Sequence, residues 1–339
     1  MNIYIFIARR LLLMIPVLIG ITIVAFVVSH AVPADPIIAN LGQRAQDDPS
    51  VVARYRHEWG LDRPLPLQYV TYVWNLLHGD LGVSITSRRP VTTDLRQYFP
   101  ATLELSTAAT IFSVVVGIPL GVLAAVRRNR PADHISRLIS LIGISTPVFW
   151  LGLLALIVFY YHFGWFPGSG QIDVGITEPH TITGMLIVDS ALEGNWNAFS
   201  NGIWHLILPA VVLGSYTLGI VTRITRGSML EVLAQDYIRT ARAKGLRSAT
   251  VVFRHALRNG IMPTLTLVGL AYGSLLSGAV LTETIFSWPG IGRYATSTAG
   301  TLDFPAIMGV ALLTASIFVV LNLIVDVLYG VLNPQIRFG

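Results

Sequence analysis

Chemistry in this chain of 339 residues has to come from a short set of side chains. Glu104, Glu283 and Asp326 are carboxylates inside or beside long apolar runs, where burying a charge is expensive and an ionisable group is a functional candidate. Glu104 and Glu283 fall near the outer ends of their runs, within reach of water or headgroups, which favours a capping role. Asp326 lies deeper and is expected to pair with a buried arginine or a backbone donor that holds its helix in place. Ser145 and His205 sit on predicted spans and could meet as nucleophile and base, although serine in a membrane helix more often bonds a neighbouring helix. The histidines show no metal spacing such as i and i+4 on one helix face, and there is no Gly-x-Ser-x-Gly elbow. A phosphate-wrapping Gly-x-x-x-x-Gly-Lys-Ser/Thr loop is missing too, since the one lysine, Lys244, precedes its glycine. Neither a metal, a nucleotide nor a catalytic centre is expected within this chain.

The most unusual stretch is SMLEVLAQDYIRTARAKGLRSATVVFRHALRNGIMP, from Ser228 to Pro263, a basic segment inside an otherwise apolar sequence. Ser228 followed by Glu231 has the form of a capping box, and Asp236 can cap a second helix start. Gly245 should end the helix that begins near Asp236, because the closing residue needs a left-handed backbone. Arg242 and Lys244 complement the dipole in its last turn. Ser248 should start another helix, Gly260 end it, and Pro263 suits the first turn of the span beyond it. Tyr237, Ile238 and Ala241 recur on one helical stripe with Arg239, Arg242 and Lys244 around it, which predicts a small apolar surface framed by positive charge and offered to a partner.

The elements that must position these residues are set by composition. At 53% hydrophobic and 12% charged, with mean hydropathy +0.64, the chain is too apolar for a soluble domain and reads as a polytopic membrane protein. Its formal charge of +5 clusters beside hydrophobic runs rather than in a nucleic-acid module, and no cysteine is present. Six spans are predicted, all helical, at about 11–28, 101–126, 137–161, 203–221, 264–281 and 305–329. Arg9 and Arg10, Arg127 to Arg130, Arg223 with Arg226, and Arg337 mark one side as cytoplasmic, while 162–202 holds four carboxylates and no Lys or Arg. Both termini are therefore expected in the cytoplasm. The predicted organisation is a first span over 1–30, an external subdomain or loop over 31–100, and a core over 101–335 ending in a tail at 336–339. That core contains the external loop 162–202 and the cytoplasmic loop 223–262. Within 31–100, Val70, Val73, Trp74 and Leu77 share one face of a short amphipathic helix that would lie on the membrane surface or against other helices. Pro147 should bend the third span, and the small residues Gly269, Gly273, Ser274, Ser277 and Gly278 let the fifth pack closely, near a dimer interface or a pathway.

After that span comes ETIFSWPGIGRY, Glu283 to Tyr294. Pro289, Gly290 and Gly292 enforce a turn, and Phe286, Trp288 and Ile291 form an apolar wedge. Two readings stay open: an interfacial tryptophan anchor, or a wedge that helps to close an external gate, with Phe286, Trp288, Pro289 and Gly290 as its residues.

DYIRTARAKGL followed by RHALRN and a proline resembles the coupling loop of ABC importer permeases in its dipeptide and oligopeptide branch. RRLLLMIPVLIGIT, GDLGVSI, TPVFWLG, ETIFSWPGIGR and NLIVDVLYGVLNP extend the resemblance over nearly the whole chain. Of the looser Glu-Ala-Ala-x-x-x-Gly signature only Ala241 and Gly245 match, with Arg239 and Thr240 in the first two places. The resemblance implies an all-α integral membrane protein with the type I importer permease fold. It implies a homologous second permease, one or two kinds of ATPase subunit that bind ATP and Mg, and a periplasmic or extracellular peptide-binding protein, in a bacterial inner membrane. Asp236, Tyr237, Ile238, Arg239, Thr240, Ala241, Arg242, Lys244, Gly245 and Leu246 would then dock on an ATPase. Ser106, Ser113, Ser215, Thr217, Ser274 and Ser277 would contribute to a path of modest polarity, although polar residues that only bind neighbouring helices look the same. Dipeptides are the leading cargo, with oligopeptides, glutathione, nickel chelates and oligosaccharides open in the same branch. A proton-coupled carrier is the alternative from another class.

Overall fold

The computed structural model describes residues 3–31, 50, 53, 62–277 and 279–332. The turns expected at Asp35-Pro36 and Asp48-Pro49, Gly278 and the tail from Asn333 lie outside them. In chain order the helices are α1 (Ile3–Ala31), α2 (Leu65–Leu77), α3 (Val91–Val126), α4 (Pro131–Ser145) and α5 (Val148–His162). Then come α6 (Leu186–Glu193), α7 (Trp196–Leu233), α8 (Asp236–Ala243), α9 (Ser248–Gly260), α10 (Met262–Leu276), α11 (Val280–Ile285), α12 (Ile291–Gly300) and α13 (Phe304–Leu332). Four of them, α1, α3, α7 and α13, are long and apolar enough to cross a membrane. The pairs α4–α5 and α9–α10 pass the same test together, bent by 105° and 54°, which makes up to six candidate crossings among the described residues, one for each bent pair taken as a single span. The sharper bend falls at Thr146-Pro147, where proline removes a helical hydrogen bond.

Two predicted spans are longer than their apolar runs. The second begins at Val91 rather than Ala101, and the fourth extends from Trp196 to Leu233 rather than from Ile203 to Val221. At 1.5 Å per residue, α3 and α7 reach roughly 54 and 57 Å, well beyond a hydrocarbon layer of about 30 Å. Ser228 and Glu231 are therefore interior residues of α7 and form no capping box. No proline or other strong breaker follows Gly227, so the helix continues.

α3 and α7 are the axis of the molecule and run parallel. A Cβ on Gly214 of α7 would lie 2.6 Å from the Ala109 carbonyl oxygen of α3, and one on Gly121 of α3 would lie 2.7 Å from that of Thr222. Only glycine admits such an approach, which is how helices associate where lipid removes the hydrophobic drive between them. Ser113 closes the same seam by donating to the Ala109 and Gly214 carbonyls at 2.7 and 2.8 Å. α10 runs antiparallel to α13, with Gly269 facing Val325 and Gly273 facing Leu321, so its small residues meet a helix of the same chain. One end of the bundle carries Arg127 to Arg130 with α8 and α9, and the other carries the acidic segment 162–202.

α2 sits against α1 through Tyr69, whose hydroxyl is 2.8 Å from that of Thr22, and through Phe26 beside Tyr69 and Tyr72. Of its predicted stripe Val70, Trp74 and Leu77 are exposed and Val73 is half-buried.

Candidate functional site

At the basic end, α8 is a two-turn helix whose one face is locked down. Ile238 and Ala241 are buried against Met229 of α7 and Val251, Val252 and Ala256 of α9. This corrects the expectation of an apolar stripe presented outward, because the bend after α7 folds that stripe back onto the chain. Tyr237 stays 41% exposed, with its hydroxyl accepting a hydrogen bond from Asn259 at 2.9 Å. Asp236 is the first helical residue and Gln235 the cap, so the aspartate acts on the positive helix end rather than as the capping side chain. Gly245 follows with φ +76°, the left-handed residue that the sequence required. What α8 shows outward is Asp236, Arg239, Thr240, Arg242, Lys244, Gly245 and Leu246, all exposed. Ser248, Gly260 and Pro263 start, end and restart helices as expected, and the middle of α9, Val251–Ala256, is π-helical. Such a widened turn recurs at functional sites.

At the acidic end the wedge is buried instead of anchored at an interface. Trp288 is fully buried among α3 and α7 side chains and donates from Nε1 to the Ala101 carbonyl at 2.8 Å. Phe286 packs with Leu208 and Val212 of α7 and Ala155 of α5, while Ile291 joins Val91, Leu95 and Val310. Three neighbouring residues thus enter three separate parts of the core, which leaves no apolar wedge at the surface. The turn between them carries its left-handed residue at Ser287, φ +51°, and Gly290 caps α12.

Glu283, fully buried, fastens this turn. Its carboxylate accepts from Thr102 Oγ1 at 2.7 Å and from the Arg293 amide at 3.0 Å, and Thr102 accepts from the Ile291 amide at 2.8 Å. A Cβ on Gly290 would collide with that carboxylate. Glu104 is likewise buried, accepting from the Ile187 amide at 2.8 Å and from Gln171 at 3.3 Å. Both roles are structural, as the sequence suggested, but protein donors replace the expected water or headgroups.

Two further carboxylates that sequence reasoning passed over complete this end. Asp303 accepts from Ser84 Oγ at 2.6 Å and from the Thr86 amide at 3.0 Å. Asp94 accepts from Ser87 at 2.6 Å and from the Tyr294 hydroxyl at 3.0 Å, and pairs with Arg89 at 2.7 Å. Their partners lie some 200 residues away in places, so only the serine-rich turn after GDLG hinted at them. Asp189 holds residues 181–185 by accepting from the amides of Ile182, Thr183 and Gly184. Burial pushes its pKa up, but the bonds from Thr183, Ile182 and Gly184 outweigh it and hold the carboxyl below its ordinary value.

Ser145 and His205 do not meet: Ser145 is exposed at the end of α4, and both ring nitrogens of His205 face other oxygens, Gly170 O at 3.0 Å and Asp173 Oδ1 at 3.1 Å. Asp326 finds Arg10 of α1 at 3.0 Å, an arginine half exposed rather than buried. Of the polar residues proposed for a path, Ser106, Ser113 and Thr217 are buried, Ser215 and Ser277 half-buried, and Ser274 exposed. Ser106 donates to the Leu275 carbonyl at 3.1 Å and ties α3 to α10.

Comparison with known proteins agrees with this architecture. Residues 117–338 match the family model described as the binding-protein-dependent transport system inner membrane component, and residues 3–106 match the N-terminal model of the same system. The chain is 48% identical over 320 residues to a probable D,D-dipeptide transport system permease protein of Escherichia coli (strain K12), covering 94% of each. It is 46% identical over 334 residues to the dipeptide transport system permease protein of the same strain, covering 98% of each. In fold it resembles a chain of the MetNI methionine ABC transporter solved in inward-facing conformations, with TM-score 0.52, 15% identity, and coverage of 70% of this chain and 96% of that one. A helical bundle of four to six candidate crossings, matched along its length by these models, belongs to the inner-membrane permease subunits of bacterial ABC importers.

Proposed function

We propose that this permease carries dipeptides or short peptides, handed over by a soluble binding protein, along a path built with a homologous second permease. ATP and Mg are bound by one or two kinds of partner ATPase, and α8 with Gly245 and Leu246 is the element that docks on them. The basic end then faces the cytoplasm with both termini, and 162–202 faces outward, in keeping with the distribution of Arg and Lys. The observation that carries the reading is the two-sidedness of α8. Ile238 and Ala241 fix it to α7 and α9, while Arg239, Thr240, Arg242 and Lys244 stay exposed to a partner. A helix held this way passes a push from a docked subunit to the bundle as rigid-body motion. Phe286, Trp288, Pro289 and Gly290 act at the outer gate by bracing helices rather than by plugging a mouth. Ser274, exposed on α10, is the first choice among the path residues. The peptide cargo rests on the named transport roles of the two relatives.

The experiment is reconstitution of the complex in lipid, with ATPase activity read for wild type and Gly245→Pro in the presence of dipeptide-loaded binding protein. Proline cannot adopt φ +76° and should break the α8–α9 junction. Dipeptide-stimulated ATPase in wild type and its loss in the variant is the expected result. Stimulation by glutathione or a nickel chelate instead would replace the cargo and keep the importer. Uptake that persists without ATP and collapses with the proton gradient would replace the importer by a proton-coupled carrier.

A further inference from the structure

A cavity of about 270 Å³ opens at the basic end, where α3, α7, α8 and α9 converge. Its lining joins apolar side chains, among them Val126, Leu230, Leu233 and Val252, to two arginines, Arg128 and Arg242. No acidic residue lines it. Among the described residues neither arginine has an ion pair or a side-chain hydrogen bond, and the nearby carboxylates are committed elsewhere. Asp133 holds Arg226 at 2.7 Å and Arg137 at 3.4 Å, and Asp236 holds Arg239 at 3.3 Å. Glu231, exposed on α7, does not line the cavity. Two exposed positive side chains therefore line one cavity without an anion from the described residues, which suits an anionic ligand.

The cavity also sits at a particular depth. The helix α3 ends at Val126, and Val126 and Leu123 remain 45% and 39% exposed, so the basic pocket continues into an exposed apolar strip at the end of α3. A free phosphate would need the charges alone. An amphipathic ligand needs both halves, and basic pockets at the inner ends of membrane helices suit anionic lipid headgroups. We infer that the cavity binds an anionic phospholipid, its phosphate between Arg128 and Arg242 and its acyl chains along Val126 and Leu123. The ligand bridges the end of α3 to α8, so the seating of α8 depends on the lipid present. This site does not rely on ATPase docking, and its test uses no ATPase.

The test is native mass spectrometry of the full chain after exchange into detergent containing equal phosphatidylglycerol and phosphatidylcholine. Wild type is expected to retain phosphatidylglycerol over phosphatidylcholine. Arg128→Gln with Arg242→Gln should lower that retention roughly tenfold or more, two lost arginine contacts being the difference. Arg130→Gln, outside the cavity, should behave as wild type. Equal retention of the two lipids by wild type would overturn the inference without recourse to any variant. Unchanged retention in the double variant would do the same, as would displacement of phosphatidylglycerol by inorganic phosphate but not by chloride at matched ionic strength, which would assign the cavity to free phosphate.

Discussion

The acidic end of this permease and the helix α8 at its basic end treat polar side chains in opposite ways. At the acidic end Glu283, Asp94, Asp303 and Asp189 are withdrawn from solvent and held by hydroxyls, amides and the Arg89 guanidinium, some from distant parts of the chain and, for Asp189, from the residues just before it. At the basic end the charges of α8 are left in solvent and only Ile238 and Ala241 are taken in. A buried, fully bonded network fixes one geometry, because leaving any member unpaired costs more than its bond contributes. An exposed charged face is cheap to keep and open to a partner. The acidic end is thus fastened to itself, and α8 at the basic end is fastened on one side only.

The change that would break this contrast most severely is Trp288→Ala. It removes a fully buried indole and its bond to Ala101, and should cost about 3–5 kcal/mol, seen as a large fall in the thermal unfolding midpoint in detergent; a small fall would show that the core at the acidic end is looser than its packing. Glu283→Ala is next. With Thr102 and the Arg293 amide unpaired, a loss of about 1–3 kcal/mol is expected, together with faster hydrogen exchange at Ile291 and Arg293. At the basic end Gly245→Ala places a side chain at φ +76°, about 1–2 kcal/mol of local strain. The unfolding midpoint should barely move while binding-protein-stimulated ATPase falls, and the reverse pattern would mean that α8 is part of the core. The smallest effect is in acid. Asp189 is held below its ordinary pKa, so its stabilising contribution is complete above about pH 3.9 and fades as pH drops through the lower folded value. Exchange at Ile182, Thr183 and Gly184 should stay slow from neutral pH down to that point and quicken below it.

Much of this organisation was legible in the residues. Apolar run lengths and the placement of arginines gave six crossings, and Pro147, Gly245 and Pro263 marked a bend, a helix end and a helix start through backbone geometry that is local. What stayed hidden depends on partners far along the chain. The face of α8 that looked offered to another protein is consumed by α9, and Trp288, a residue type common at membrane interfaces, is enclosed by α3 and α7. Periodicity tells that a stripe is apolar but not what covers it. Asp94 and Asp303 escaped for the same reason: a lone aspartate near a turn reads as solvated until a hydroxyl from elsewhere reaches it. The over-long α3 and α7 are a different case, since polar turns added to an apolar helix leave hydropathy flat while the hydrogen-bond ladder carries on.

The length of α7 has a mechanical consequence. A rod of roughly 57 Å that spans the bilayer and projects beyond it behaves as a lever, and α8 is attached close to its tip. With its pivot at the acidic end, where Leu206, Ala210 and Leu213 are clamped against α3 and Trp288, the arm from Ala210 to the tip is roughly 35 Å, and a tilt of about five degrees sweeps the tip sideways by about 3 Å, more than half the pitch of one helical turn. In the opposite direction, a displacement of that size imposed at α8 is geared down to small rotations beside Trp288, so force is multiplied as distance is given up.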